Sequence, residues 1–181
     1  IGHLLIAQTV CEAEDFDKIL FIPALTPPHK KVITPIVHRT EMVKIAINDN
    51  PKFEYSDVDI LRGEISYTID SIMDVKQNMD LKNDDLYYLI GSDSLIDFKN
   101  WKEPKKILHE CNVIVAIRPG FRPSDIPPWI LQKVHFANIP RFELSSSKIR
   151  SRWIKDLTIR YMVTLPIWKY INQNNLYSKK D

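Results

Sequence analysis

A chain of 181 residues, 44% hydrophobic and 27% charged, has room for one full core and the composition of an ordinary globular protein. Disordered, collagen-like and membrane-embedded classes are set aside on that ground. A net charge of +2 argues against a surface that coats nucleic acid, while leaving room for a local cleft that binds small anions.

In chain order, "IGHLLIAQTV" sets Gly2 and His3 directly against an apolar, helix-patterned run over Leu4–Glu14. Glycine permits close backbone approach, histidine is a donor of tunable charge, and a helix N-terminus focuses positive potential there. Residues 1–15 lack a basic start and carry Glu12, Glu14 and Asp15, so no secretory leader is visible. No apolar run approaches the roughly 18 residues of a spanning helix, and a cytoplasmic location without membrane partners is expected.

"KILFIP" (Lys18–Pro23) reads as a buried strand, and the proline-rich loop of residues 23–38 comes next with Pro27, Pro28, His29 and Lys30. A helix is expected over Arg39–Asn48, stopped by Pro51. "PKFEYSDVDI" alternates, which predicts a strand around Phe53–Asp59. A second helical pattern covers Thr68–Met79, preceded by "SYT", whose amides are either capped or open to a carboxylate.

"LYYLIG" (Leu86–Gly91) and "NVIVAI" (Asn112–Ile117) are continuous apolar strands. The first runs into Gly91, Ser92 and Asp93, the second into Arg118, Pro119 and Gly120. Residues 119–128 form another proline-rich loop. Between them Trp101 lies in "FKNWKEP", a core tryptophan by spacing alone. "ELSSSKIRSRW" places three hydroxyls, Ser145–Ser147, before a helical stretch in which Ser147 and Arg150 share a face. A hydroxyl, a guanidinium and a helix start together suit phosphate. "VTLPIWKYINQNNLY" reads as a closing helix that starts around Pro166 and packs Ile167, Tyr170 and Ile171 on one face.

Strands and helices alternate, which predicts an open doubly wound parallel sheet with both proline-rich loops at one end of it. Ligands of such sheets bind beyond the carboxyl ends of the strands, where the polar residues collect. Cys11 and Cys111 have no zinc spacing and read as reduced core thiols. No serine elbow, G-x-G-x-x-G or G-K-[ST] loop is present, so covalent acyl chemistry, dinucleotide redox and P-loop hydrolysis lose their warrant. No closed set of metal ligands appears, and a divalent ion is expected to arrive with phosphates.

The segments "IGHLLIA", "FIPALTPPHK", "HRTEM", "SYT", "IGSDSL", Trp101, "RPG", "SSSKIR" and "YINQNNLY" stand in the order of a known family. The chain resembles the bacterial nicotinate-nucleotide adenylyltransferases, in the nucleotidyltransferase superfamily marked by His-x-Gly-His. The resemblance implies a Rossmann-like doubly wound parallel sheet with helices on both faces. It implies transfer of AMP from ATP to nicotinate mononucleotide in NAD biosynthesis, with Mg2+ carried on the triphosphate.

The resemblance also implies roles. Gly2 and His3 match the second half of His-x-Gly-His, with His3 at the α-phosphate in the transition state. His29 and Lys30 match the loop on the triphosphate, and Ser146, Ser147 and Arg150 the segment that holds ATP phosphates. Gly91 and Asp93 match the approach to a nucleotide ribose. Thr68 and Trp101 match the nicotinate pocket, and Arg118 a cation on the mononucleotide side.

The family's upstream strand and Gly-Gly-x-Phe-x-Pro-x-His segment have no counterpart in residues 1–181, and Ala24 stands where relatives often carry asparagine. A single nucleotidyltransferase domain is expected over 1–181, shortened at its N-terminus and lacking the first strand and the first histidine of the motif. Two other readings compete: an adenylyltransferase for nicotinamide mononucleotide or pantetheine phosphate, and a non-catalytic nucleotide-binding module. Nucleic acid is not an expected partner, and self-association into a homo-oligomer stays open.

Overall fold

The computed structural model describes residues 1–28, 32, 34–140 and 144–177. Its chain divides into two compact units, Ile1–Pro23 with Val32–Ser56 and Phe142–Asp181, and Ala24–Lys31 with Asp57–Arg141.

In the first unit, α1 (Gly2–Ala13) buries Ile6, Ala7, Val10 and Cys11, a spacing that gathers them on one helix face. Helix α1 is followed by β1 (Ile19–Phe21), α2 (Ile36–Ile47) and β2 (Phe53–Tyr55). The two strands pair in parallel, Ile19 opposite Phe53 and Phe21 opposite Tyr55, with the Phe21 and Phe53 rings 5.1 Å apart. The unit closes with α8 (Ser146–Ile154) and α9 (Leu165–Gln173). Pro166, in the first turn of α9, needs no hydrogen-bond partner there. Ile159, Ile167 and Ile171 form a small core against Met42, Ile45 and Ala46 of α2 and Ile149 and Trp153 of α8.

The second unit contains α3 (Val58–Arg62), α4 (Thr68–Met79), β3 (Tyr87–Gly91), α5 (Ser92–Ile96), α6 (Pro104–Glu110), β4 (Asn112–Ala116), α7 (Pro128–Leu131) and β5 (Val134–Ala137). Its strands form a parallel ladder in the order β3-β4-β5. Central β4 carries Val113, Ile114, Val115 and Ala116, each at most 1% exposed, as a strand covered on both faces must. Ile69 and Ile72 of α4, Leu95 of α5, Phe98, Ile107 of α6 and Ile130 of α7 pack with it into one cluster.

The helix expected over Thr68–Met79 forms with those bounds, and the apolar strands differ from expectation only at their ends. One expectation is corrected. The strand predicted over Phe53–Asp59 stops at Tyr55, and Val58 and Asp59 lie in α3. Asp59 is buried and accepts hydrogen bonds from Arg62 one turn on, at 2.7 Å, and from Ser71 of α4. That pairing rewards a helical turn, which Gly63 then ends at φ +76°.

The parallel sheet, expected to lack the family's first strand in residues 1–181, is present in two pieces. The strands of the described residues form two parallel ladders, β1-β2 and β3-β4-β5. Among those residues β1 pairs with β2 alone and β3 with β4 alone, so no described strand carries the pairing from one ladder to the other.

Ile107 is fully buried in the second unit's core. Replacing it with alanine is expected to lower unfolding free energy by about 2–5 kcal/mol and with valine by about 0.5–1.5 kcal/mol. Urea denaturation read by tryptophan fluorescence checks this, and equal small losses would mean that α6 is not packed on the ladder.

Candidate active site

The register of the second ladder places Gly91, the last residue of β3, opposite Ala116, the last residue of β4. The chain leaving β3 therefore meets the chain leaving β4. The Arg118 backbone N–H donates to Ser92 Oγ at 2.9 Å, and the Arg118 guanidinium reaches Asp93 Oδ2 at 3.3 Å. Gly91 leaves room for this approach: a Cβ there would fall 2.4 Å from Asp93 Oδ1 and 3.3 Å from Arg118 Nε, so the exposed carboxylate would have to swing away. Asp93 is exposed and Arg118 half-buried, so the pair faces outward. Gly91, Asp93 and Arg118, singled out separately in the sequence, are one cluster.

A neighbouring group of the same unit gathers around Tyr88 of β3. Thr68 Oγ1 lies 3.3 Å from Tyr88 Oη, and the Trp101 ring stands edge-on to Tyr88 at 6.3 Å and 5.1 Å from Phe98. Tyr88 and Trp101 both pack, partly buried, on the core cluster. Burial pushes the Tyr88 phenol above the usual tyrosine range, its hydrogen bond with Thr68 partly offsetting this. Thr68 opens α4, and no side chain caps that helix, so the capping alternative for "SYT" does not form.

Beside it Lys102 donates to both carboxylate oxygens of Asp70, at 2.8 and 3.1 Å, and sits 4.7 Å above the Tyr67 ring. The bond to Asp70 holds the Lys102 ammonium above its ordinary pKa. The loop after β1 also enters this unit. Thr26 bridges in parallel to Ile65, Ser66 N–H donates to the Thr26 carbonyl at 2.9 Å, and the Thr26 N–H donates to Ser66 Oγ at 3.3 Å. This anchors the start of the proline-rich loop beside the entry to α4. His29 and Lys30, further along that loop, lie outside the described residues.

In the first unit, α1 begins at Gly2, so Gly2 and the exposed His3 occupy its first turn as expected. At α8 the serines divide their work. Ser145 caps the helix, accepting from the Lys148 N–H at 3.2 Å, while Ser146 and Ser147 are exposed in the first turn. Arg150 Nη2 donates to Ser147 Oγ at 3.4 Å, which confirms their shared face. The Arg150 guanidinium also lies 6.0 Å from the Tyr177 ring centre, and the Thr34 hydroxyl donates to Tyr177 Oη at 3.2 Å.

Sequence reasoning missed Tyr88 and Tyr177. Tyr88 carried a signal, since a tyrosine inside an otherwise apolar strand needs a partner for its hydroxyl. Tyr177 carried none beyond its place in "YINQNNLY", because its partners are distant in sequence.

Among the described residues no group of three or more His, Cys, Asp or Glu side chains is arranged to hold a metal ion. The first turn of α8 offers hydroxyls, and Arg150 one turn on brings a guanidinium to Ser147, donors suited to phosphate oxygens.

Residues 1–152 match the family model described as cytidylyltransferase-like. The nicotinate-nucleotide adenylyltransferase of Bacillus subtilis is 35% identical over 178 residues, covering 97% of this chain and 90% of that protein. A Thermomicrobium roseum protein named "Probable nicotinate-nucleotide adenylyltransferase" is 36% identical over 184 residues, covering 97% of this chain and 85% of its own. The chain belongs to the nicotinate-nucleotide adenylyltransferase family. Its fold agrees: the Plasmodium falciparum nicotinic acid mononucleotide adenylyltransferase complexed with NaAD superposes with a TM-score of 0.79. That comparison covers 97% of this chain and 90% of the other at 24% identity, and shows the Rossmann-like α/β fold of the nicotinate-nucleotide adenylyltransferases.

Neither cysteine offers this family member a covalent nucleophile. Cys11 and Cys111 are free thiols and buried, and burial pushes the Cys111 thiol up to about 12. At pH 8 the buried Cys111 is held as a thiol. Iodoacetamide at that pH is expected to leave Cys111 unmodified in the native protein and to alkylate it in denaturant, as read by peptide mass. Rapid native alkylation would contradict the packing described.

Proposed function

We propose that the chain transfers the adenylyl group of ATP to nicotinate mononucleotide, giving nicotinate adenine dinucleotide and pyrophosphate as a step of NAD biosynthesis. The observation that carries this reading is its 35% identity with the Bacillus subtilis enzyme across 97% of this chain and 90% of that protein. The whole chain then acts as one nucleotidyltransferase domain. Its substrates are charged nucleotides of the cell interior, which carries a cytoplasmic location.

The reaction needs no intermediate on the protein. A phosphate oxygen of the mononucleotide attacks the α-phosphorus of ATP, the bond from that phosphorus to the bridging oxygen of the β-phosphate breaks, and pyrophosphate departs with the electron pair. The protein's task is to position two polyanions and spread the charge that builds on the α-phosphate. In this reading His3 donates to the α-phosphate, and Gly2 lets the adenine nucleotide approach the helix start. Ser146, Ser147 and Arg150 hold the phosphates at α8, with His29 and Lys30 on the triphosphate.

Asp93 accepts from a ribose hydroxyl while Gly91 keeps the strand end open. Arg118, already oriented by Asp93 at 3.3 Å, supplies a cation on the mononucleotide side. Thr68 and Trp101 receive the nicotinate ring, the indole as its stacking face. Mg2+ enters as part of the ATP substrate, neutralising phosphate charge. The hydroxyl and guanidinium donors of α8 fit phosphate oxygens rather than a cation, in keeping with that route.

The decisive assay is formation of nicotinate adenine dinucleotide with equimolar pyrophosphate by the full-length protein, given MgATP and nicotinate mononucleotide. A folded protein that binds ATP without turnover would overturn the reading. Arg150→Ala is expected to raise the KM for ATP about tenfold or more, the value of a charge-assisted hydrogen bond, with the KM for the mononucleotide unchanged. Arg150→Lys is expected to recover only part of this, because an ammonium lacks the planar fork. Equal rises in both KM values would remove Arg150 from the ATP side.

A further inference from the structure

The residues after α9 fold back onto α8, the helix that carries the proposed phosphate donors. The Trp153 indole Nε1 of α8 donates to the Leu176 carbonyl at 2.9 Å, and the Leu176 N–H donates to the Ile171 carbonyl at 3.0 Å. On either side of Leu176, Asn175 and Tyr177 take φ of +48° and +62°. A positive φ is uncommon for a bulky aromatic residue and persists only where its surroundings over-determine it.

Arg150 and Trp153 are three residues apart on α8 and so lie along one side of it. A segment clipped at Trp153 therefore reaches Arg150 one turn earlier: the guanidinium lies 6.0 Å from the Tyr177 ring centre, while its Nη2 donates to Ser147 Oγ at 3.4 Å. The ring is tethered at its far end too. The Thr34 hydroxyl bonds Tyr177 Oη at 3.2 Å, and Arg39 Nε of α2 donates to the Thr34 carbonyl at 3.2 Å. Tyr177 also packs, partly buried, on the small core of the first unit. A guanidinium is attracted to an aromatic face by the ring's quadrupole, and one held before its ligand arrives loses less freedom on binding.

We infer that Tyr177 is a positioning residue for the ATP side of the reaction: its ring holds Arg150 beside Ser147, so that the phosphates meet a guanidinium already in place near the start of α8. The inference rests on the proposed placement of ATP phosphates at α8. Tyr177 has no part on the mononucleotide side, so its loss is read on ATP alone.

The test measures KM and kcat with ATP and nicotinate mononucleotide, and the Kd for MgATP by calorimetry without the mononucleotide. The proteins compared are full-length wild type, Tyr177→Leu, Tyr177→Phe, Arg150→Ala and each Tyr177 variant combined with Arg150→Ala. Tyr177→Leu keeps apolar bulk in the core and removes the aromatic face. It is expected to raise the KM and Kd for ATP about two- to fivefold, the effect of losing one exposed cation–π contact, while kcat and the mononucleotide KM hold. Tyr177→Phe keeps the ring and loses the tether to Thr34, and is expected to fall between wild type and Tyr177→Leu. In the Arg150→Ala background neither change is expected to weaken ATP binding further.

Equal rises in both KM values would overturn the inference, as would an ATP effect that persists without Arg150, a Tyr177→Phe as impaired as Tyr177→Leu, or a Tyr177→Leu that binds ATP as wild type does. Where Tyr177→Leu does not fold, Tyr177→Phe decides: a rise in the ATP Kd that vanishes in the Arg150→Ala background supports the inference, and any other result overturns it. Wild-type protein that binds MgATP but forms no nicotinate adenine dinucleotide would instead overturn the proposed reaction, and the calorimetric comparison would still decide the role of Tyr177.

Discussion

Parallel pairing of β3 with β4 is the constraint on which the chemistry of the second unit depends. Antiparallel strands would send alternate chain ends to opposite edges, but parallel strands deliver every carboxyl end to the same edge. With Gly91 opposite Ala116, Ser92 and Asp93 leave one strand where Arg118 leaves the next, and a serine hydroxyl locks the second departure to the first. The register in turn is held by β4, whose side chains are dry on both faces. A cluster that looks polar and exposed is thus fixed by the least polar segment of the chain.

Gly91 shows why the fit leaves so little freedom. Asp93 and Arg118 approach its Cα so closely that the smallest side chain would displace the carboxylate. An ion pair between groups this exposed contributes little to stability by itself. Its value here is geometric, because each partner limits where the other can point and the glycine keeps a path to the backbone open. Tyr88, earlier in the same strand, meets the Thr68 hydroxyl at 3.3 Å and the Trp101 ring edge-on.

Much of this was legible in the sequence because the strands are continuous apolar runs and their polar successors are adjacent to them in the chain. "LYYLIG" and "NVIVAI" announce both their burial and the places where those successors begin. The helix over Thr68–Met79 was equally plain, its buried Ile69, Ile72 and Val75 recurring at helical spacing. The strand expected through Asp59 failed because alternation cannot see Arg62 and Ser71 closing on a buried carboxylate. The short helices α5, α6 and α7 and the strand β5 have too few residues to establish a period of their own, and tertiary packing decides them.

Among the site residues, legibility tracked sequence distance. Ser147 and Arg150 are one helical turn apart, so their hydrogen bond could be anticipated from spacing. Gly91 and Arg118 could be suspected only because both stand at strand ends, and that they touch is decided by a register the sequence does not print. Tyr88 and Thr68 lie farther still from any local rule. One is a residue of an apolar strand and the other opens a helix, and neither segment alone says that two hydroxyls meet. Their meeting, at 3.3 Å, belongs to the strand and the helix together, and no pattern within either one carries it.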